Sequence, residues 1–294
     1  MAALPEPAPA REAPPPVPVA FVKYYDKGST LMGAHQIADG LAERGWQARA
    51  IYARELPAVR RGILVFIKTS RLDHLLAARA RGNRLVLDVQ DTVVFKRRIK
   101  NRWLYDALIL KNQRQLADFG RPGRADCLIY HQWDPRYAPN RAPQDRLAVA
   151  YVGLPRSFDL WERLPGVACL EDGLAGGAAA GFNCHLSVRR HGREFLYKPN
   201  CKVSTAAACD AVLVTTRDVT TVELLGEDYP FFCDPEPGAI LAALERARAA
   251  LGTRAWQEAR ARLRAVRERT SLERVLDDYE ALLRGLGSPP VGVR

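Results

Sequence analysis

Apolar residues recur along this chain in two alternating patterns, short continuous runs and longer stretches of helical period. Residues 19–25 form the first run, and Leu31, Ala34, Ile37, Ala38 and Leu41 then follow the period of a helix that Ser29 or Thr30 can cap and Gly45 stops. Residues 46–52 predict a second strand, 62–68 a third, 72–80 a helix and 84–89 a fourth strand. One long helical stretch is expected over 102–119, leading to a fifth strand at 126–130. Runs that are apolar throughout suit parallel strands covered on both faces, so the fold class is α/β of the doubly wound kind.

A turn-rich segment with Pro135, Pro139 and Pro143 interrupts the series, after which it starts again. Strands are expected at 146–152, 167–170, near His185 and at 211–215, with a small-residue helix over 203–209 before the last of these. The C-terminal part is helical. Pro237 and Gly252 bound one helix, and Trp256, Ala259, Leu263 and Val266 mark a second. Thr270 and Glu273 have the spacing of a capping box for a third, which carries Leu272, Val275, Leu276, Tyr279, Leu282 and Leu283 on one face and stops at Gly285. The expected organisation is a disordered Pro-rich tail over 1–18, one Rossmann-like domain over 19–140, another over 145–270, and a closing helix over 271–285.

A length of 294 residues is ample for two cores. The excess of 44 Lys and Arg over 33 Asp and Glu, a net charge of +11, selects anionic partners without choosing among phosphorylated small molecules, membrane and nucleic acid. The six cysteines include no CxxC pair and several sit within apolar runs, which points to a reducing compartment and against a structural zinc. No apolar stretch is long enough to cross a bilayer, and the N-terminus lacks a basic segment followed by an apolar one. The expected location is cytoplasmic, and contact with the inner membrane face is compatible with the charge.

The candidate chemistry is concentrated in residues 183–232. Lys198 and Lys202 bracket Pro199 just before the small-residue helix, where backbone N–H groups and the helix dipole favour phosphate. The following strand ends in Thr215, Thr216 and Arg217, at the kind of sheet edge where α/β proteins bind ligands. Together with Arg189 these residues suit a diphosphate. Thr220 and Glu223 read as a capping box. Earlier in the chain, Gly28, Ser29 and Thr30 form an acceptor or phosphate loop, or only a helix cap, because a single glycine is no nucleotide fingerprint. Lys96, Arg97, Arg98, Lys100 and Arg102, flanked by Phe95 and Trp103, make a basic run that is either a solvated face or a contact for an anionic acceptor or lipid surface.

Three segments, YVGLPRS at 151–157, KPNCKVSTAAACDAVLVTT at 198–216 with VELLGEDYPFF beyond it, and SLERVLDDYEALLRGL at 271–286, resemble parts of the GT-B glycosyltransferases, in particular bacterial group 1-like members. The resemblance implies two Rossmann-like domains facing a central cleft, the first binding acceptor and the second a nucleotide sugar, with the last helix packing back on the first. It implies that Arg189, Lys198 and Lys202 contact the donor diphosphate, that Thr215 and Thr216 line its phosphate or sugar, and that Glu223 takes the ribose. Cationic side chains and a helix N-terminus then replace a metal, and no cofactor beyond the donor is implied. Asp91, Asp26 and His131 are the candidates for the catalytic base, with Trp133 placed to stack on a sugar. The acceptor expected is a glycan, lipid-linked or small-molecule hydroxyl, as in polysaccharide biosynthesis. Two other readings stay open: a nucleotide-sugar binder or epimerase without transfer, and a basic protein that binds nucleic acid through charge alone, for which no specific recognition motif is present.

Overall fold

Strands that are apolar throughout end up covered on both faces, and β1 (Val19–Lys23) and β3 (Ile63–Ile67) are buried at every position. With β2 (Ala48–Tyr52), β4 (Arg84–Asp88), β5 (Ala107–Leu110) and β6 (Cys127–Leu128) they form a parallel sheet in the order β2-β1-β3-β4-β5-β6. A second parallel sheet has the order β11-β10-β9-β7-β8, built from β7 (Val149–Val152), β8 (Val167–Leu170), β9 (Cys184–Ser187), β10 (Val212–Thr216) and β11 (Phe232–Cys233). The structure, a computed structural model, describes residues 12–96, 98–155, 164–171 and 175–287. Most of the expected tail, Arg97, Arg156, Ser157 and Gly173 lie outside the described residues, as do the side chains of Ser29, Phe95 and Lys96.

Each sheet reverses strand order once, between β1 and β3 and between β7 and β9, and the crevice beyond the strand ends at such a point is where doubly wound proteins hold ligands. Helices fill the connections. In the first half they are α1 (Gly28–Thr30), a π-helical turn over Leu31–Gln36, α2 (Ile37–Glu43), α3 (Leu72–Ala80), α4 (Thr92–Lys96) and α5 (Gln113–Phe119). In the second they are α6 (Arg193–Tyr197), α7 (Cys201–Ala208), α8 (Val219–Leu225), α9 (Pro237–Ala250), α10 (Arg254–Arg269) and α11 (Leu272–Gly287).

The structure corrects the single helix expected over 102–119. Residues 102–104 make one 3-10 turn, residues 107–110 are the fully buried strand β5, and Asn112 then starts α5 by accepting a hydrogen bond from the Gln115 N–H at 2.7 Å. The first sheet therefore has six strands, not five. Both expected capping boxes are also replaced. Asp218 caps α8 by accepting from Thr221 N–H at 3.0 Å, and Ser271 accepts from Arg274 N–H at 3.1 Å at the start of α11, while Thr270 turns back to the Val266 carbonyl.

The last helix crosses from the second sheet to cover the first. Val275, Leu276, Tyr279, Leu282 and Leu283 join the core made by Val19, Phe21, Ile37 and Leu41, and Gly40 leaves room for Leu276, whose Cδ1 would come within 2.6 Å of a Cβ there. A buried ion pair sits beneath it: Asp88 meets Lys111 at 3.0 Å and accepts from the Tyr279 hydroxyl at 2.9 Å. Packing of α11 thus fixes the two halves against each other and sets the cleft.

Candidate functional site

The start of α7 is organised by a buried polar cluster. Asn200 donates to Thr221 Oγ1 at 2.5 Å and to Asp218 Oδ2 at 3.2 Å, and Asp218, fully buried, also accepts from the Thr221 hydroxyl at 2.7 Å. Burial pushes the Asp218 carboxyl above its usual range, and the Arg189 guanidinium, 3.6 Å away, pulls against that. Arg189 also donates to the Lys198 and Pro199 carbonyls at 2.9 and 2.7 Å. One guanidinium therefore holds the bend into α7 and balances the buried carboxylate.

Lys202, in the first turn of α7, reaches under the glycine turn after β7. Its Nζ donates to the Val152 carbonyl at 2.5 Å and lies 3.9 Å from the Tyr151 ring centroid. A Cβ at Gly153 would fall 2.4 Å from Nζ, and Gly153 has φ +144°, so only glycine fits over the lysine. Burial, with Arg189 and Lys198 nearby, lowers Lys202 to about 8. Lys202, Arg189, Lys198, Cys201 and Gly153 border a cavity of about 350 Å³, within the usual size range of small-ligand sites.

Cys201 beside it hydrogen-bonds with the buried His131. Burial acts to raise the thiol, but the hydrogen bond to His131 and the nearby Arg189 bring it down to about 7. Burial acts to lower His131, and the Cys201 partner raises it instead. His131 Nδ1 also contacts the Gln132 carbonyl at 3.0 Å.

On the opposite wall, Asp91 follows β4 and pairs with Lys68 at 2.7 Å. Lys68 and Gln90, following β3 and β4, have φ +67° and +51°, left-handed conformations that cost a non-glycine residue about 1–2 kcal/mol. Asp91 is close enough to act electrostatically on Cys201. Asp26 lies beyond β1, bonded to Lys23 Nζ at 2.6 Å and to the Tyr52 hydroxyl, which hold its carboxyl below the usual range. In the Gly28, Ser29, Thr30 segment, Thr30 is buried and exchanges hydrogen bonds of 2.8 Å with the Lys27 backbone, while nothing lies within 4 Å of a Cβ at Gly28.

The structure brings Arg189, Lys198 and Lys202 to one cavity and puts four other residues, Thr215, Thr216, Glu223 and Trp133, to different use. Lys198 also bonds Glu194 at 2.9 Å across one turn. Thr215 and Thr216 are buried, and Thr216 Oγ1 accepts from the Arg189 N–H at 3.1 Å, so they support the site from behind. Glu223 is neither a cap nor open to the cavity. It accepts from the Gln113 N–H at 2.9 Å and from the Tyr130 hydroxyl, which Arg269 also binds. With Asn112 to Thr220 at 2.8 Å and Gln115 to the Tyr197 carbonyl at 2.6 Å, it joins the two halves. Trp133, expected near a sugar, donates to the Arg267 carbonyl at 3.0 Å and borders a different concavity of about 520 Å³ with Arg264 and Arg267. Cys201, Gly153 and Tyr151 went unassigned as site residues, although the glycine after β7 and the cysteine at the start of α7 were visible signals.

Two parallel, doubly wound sheets facing one cleft, with the last helix returning to the first sheet, define the GT-B architecture. The chain is similar in structure to HepE from Anabaena in complex with UDP and glucose (TM-score 0.61, 11% identity, 93% of this chain and 100% of that chain covered) and to a glycosyltransferase from Rickettsia africae (0.61, 10%, 92% and 98%). It is similar also to an α,α-trehalose 6-phosphate synthase from Burkholderia multivorans (0.59, 12%, 92% and 98%). No protein-family model and no curated protein sequence matches it. At these identities the likeness shows the GT-B fold. Among the described residues no helix is long and apolar enough to cross a membrane.

Proposed function

We propose that this protein is a glycosyltransferase that moves a sugar from a nucleoside-diphosphate donor, held by the second domain, to an acceptor hydroxyl in the first. The observation that carries the reading is Lys202: a cation desolvated beneath Gly153, without a carboxylate partner among the described residues, at the first turn of a helix bordering a cavity of ligand size. Such a group is stabilised by the charge that develops on a departing diphosphate, and α7 adds its dipole. Arg189 holds the bend that presents Lys198 and Lys202, and these cations take the role that a metal ion plays elsewhere.

For the proton of the acceptor, Asp91 is the favoured base. It lies close enough to Cys201 at the start of α7 to act on it electrostatically and is oriented by Lys68, whereas Asp26 is tied to Lys23 and Tyr52, and His131 is buried and engaged with Cys201 and the Gln132 carbonyl. His131 serves to position Cys201 and α7. The neighbour from Anabaena, described with UDP and glucose, supports a nucleotide sugar as the donor. The acceptor class, metal independence, work in the cytoplasm or at the membrane surface, and a role in bacterial polysaccharide synthesis belong to the same proposal.

The test is release of nucleoside diphosphate from a panel of nucleotide sugars, with and without chelator. Turnover by wild type and loss in Asp91→Asn are expected. Binding of a nucleotide sugar without turnover under any acceptor would instead favour a non-catalytic binder, and interconversion of the free sugar an epimerase.

A further inference from the structure

The first domain carries a second, smaller cavity of about 130 Å³ beyond the ends of β3 and β4. It is well below the several hundred Å³ of a typical small-molecule pocket, so it suits a single chemical group rather than a whole sugar nucleotide. Lys68, Arg98 and Lys100 line it, together with the hydroxyls of Thr69, Ser70 and Thr92, and no carboxylate is among the lining residues. Ile99, buried between two exposed cations, pins the loop so that Arg98 and Lys100 border the same space. Neither has an acidic partner among the described residues.

The floor is built as well. The Tyr105 hydroxyl lies 2.5 Å from Ser70 Oγ, and burial pushes the phenol up to about 12, so it stays a neutral hydrogen-bonding group. Thr92 donates to the Lys68 carbonyl, which steadies the left-handed residue at the strand end. Lys68 is paired with Asp91, but Arg98 and Lys100 have no counter-charge among the described residues and repel one another, and a ligand of opposite sign removes that repulsion. Thr69 and the O–H left free in the Ser70–Tyr105 pair add donors that a phosphate oxygen accepts, while the Thr92 O–H is already given to the Lys68 carbonyl.

The geometry points to a phosphate site for the acceptor: the cavity lined by Lys68, Arg98, Lys100 and Ser70 binds a phosphate group carried by the molecule to be glycosylated. Lys68 links the two functions, since its ammonium pairs with Asp91 at 2.7 Å. An acceptor anchored here by its phosphate presents its hydroxyls toward the carboxylate. The assignment of the phosphate to an acceptor rests on the transferase reading; the binding of phosphate does not. The same chemistry is offered by a phosphorylated sugar and by the headgroup of a phospholipid or lipid-linked sugar, and Trp103, 67% exposed, follows the basic loop closely enough to meet a lipid surface.

The experiment measures inorganic phosphate binding by titration calorimetry on the full chain, for wild type, Arg98→Ala/Lys100→Ala, Ser70→Ala, Lys202→Ala, and the distant surface pair Arg248→Ala/Arg254→Ala. The Arg98/Lys100 variant is expected to weaken phosphate at least ten-fold and Ser70→Ala several-fold, with nucleoside diphosphate binding unchanged. Lys202→Ala is expected to do the reverse. Equal phosphate affinity in wild type and the Arg98/Lys100 variant overturns the proposal, and so does an equal loss in the distant pair, which would mean charge alone. Phosphate binding that depends on Arg98 while no nucleotide binds at all leaves this site standing and removes the transferase reading. Flotation with phosphatidylcholine vesicles containing phosphatidic acid separates the sources. Vesicle binding lost in the Arg98/Lys100 variant assigns the phosphate to a lipid headgroup, and no vesicle binding with phosphate binding intact assigns it to a soluble acceptor.

Discussion

Replacing Lys202 by methionine should stabilise the free protein and cripple ligand binding at the same time. The lysine falls from 10.5 to about 8 mainly because burial disfavours its charge, with Arg189 and Lys198 adding repulsion and Cys201 opposing it. A fall of that size corresponds to about 3 kcal/mol against the charged form. The ammonium borders an open cleft, so water screens part of this, and about 1–2 kcal/mol is the expected gain at pH 7. Methionine is unbranched and one atom shorter than lysine, and it can pack on the Tyr151 ring at the cost of the bond to the Val152 carbonyl. The expected result is a melting temperature a few degrees higher than wild type without ligand. The pH dependence has a definite sign. Because the folded-state value lies below the unfolded one, the unfolded chain binds more protons between about pH 8 and 10.4, and wild type gains stability relative to Lys202→Met as pH rises through that window. Nucleoside diphosphate affinity should fall about 30- to 100-fold, the loss of one charge-assisted contact worth about 2–3 kcal/mol. Thermal unfolding with and without nucleotide, from pH 7 to 10.5, reads all three. A variant that is less stable than wild type at pH 7 yet equally stabilised by nucleotide would refute the reasoning, since Lys202 would then be a structural brace.

Asp91→Asn should lower kcat by about 10²–10⁴ with nucleotide affinity changed less than a few-fold, whereas Asp26→Asn should leave most activity; steady-state kinetics on the same donor check both. Glu223→Ala should destabilise the protein by about 1–3 kcal/mol in urea unfolding, because Gln113 N–H and Tyr130 lose their shared acceptor. In that variant the preference for nucleoside over 2′-deoxynucleoside diphosphate should not change; a lost preference would restore Glu223 to the ribose. Cys201 should alkylate with iodoacetamide faster than Cys127, Cys184, Cys209 and Cys233, with a midpoint near pH 7, since burial pushes those four up to about 12. Peptide mass spectrometry should also show nucleoside diphosphate protecting Cys201.

Much of the sheet was legible because parallel strands buried on both faces leave an unmistakable mark. Residues 63–67 and 212–216 are apolar or small throughout and are buried at every position. β5 was not, since Leu104, Leu108 and Leu116 fall at helical intervals and mask a four-residue strand inside an apparently helical stretch. Lys202 could be placed at a helix start from the small residues after it. Its burial under Gly153 could not, because that depends on β7, some fifty positions earlier, returning beside α7. The same holds for Glu223, whose partners Gln113 and Tyr130 are 110 and 93 positions away, so local spacing suggested a cap that Asp218 provides. The cavity lined by Lys68, Arg98 and Lys100 was visible only as a basic run; that Ser70 and Tyr105 form its floor follows from the fold.

The proposed function puts a donor diphosphate against Lys202 at the start of α7. A crystal structure with nucleoside diphosphate tests it most directly. The β-phosphate is expected in the cavity between Gly153, Arg189 and Cys201, about 3 Å from Lys202 Nζ. Nucleotide bound instead in the concavity bordered by Trp133, Arg264 and Arg267, with Lys202 still on the Val152 carbonyl, would contradict it.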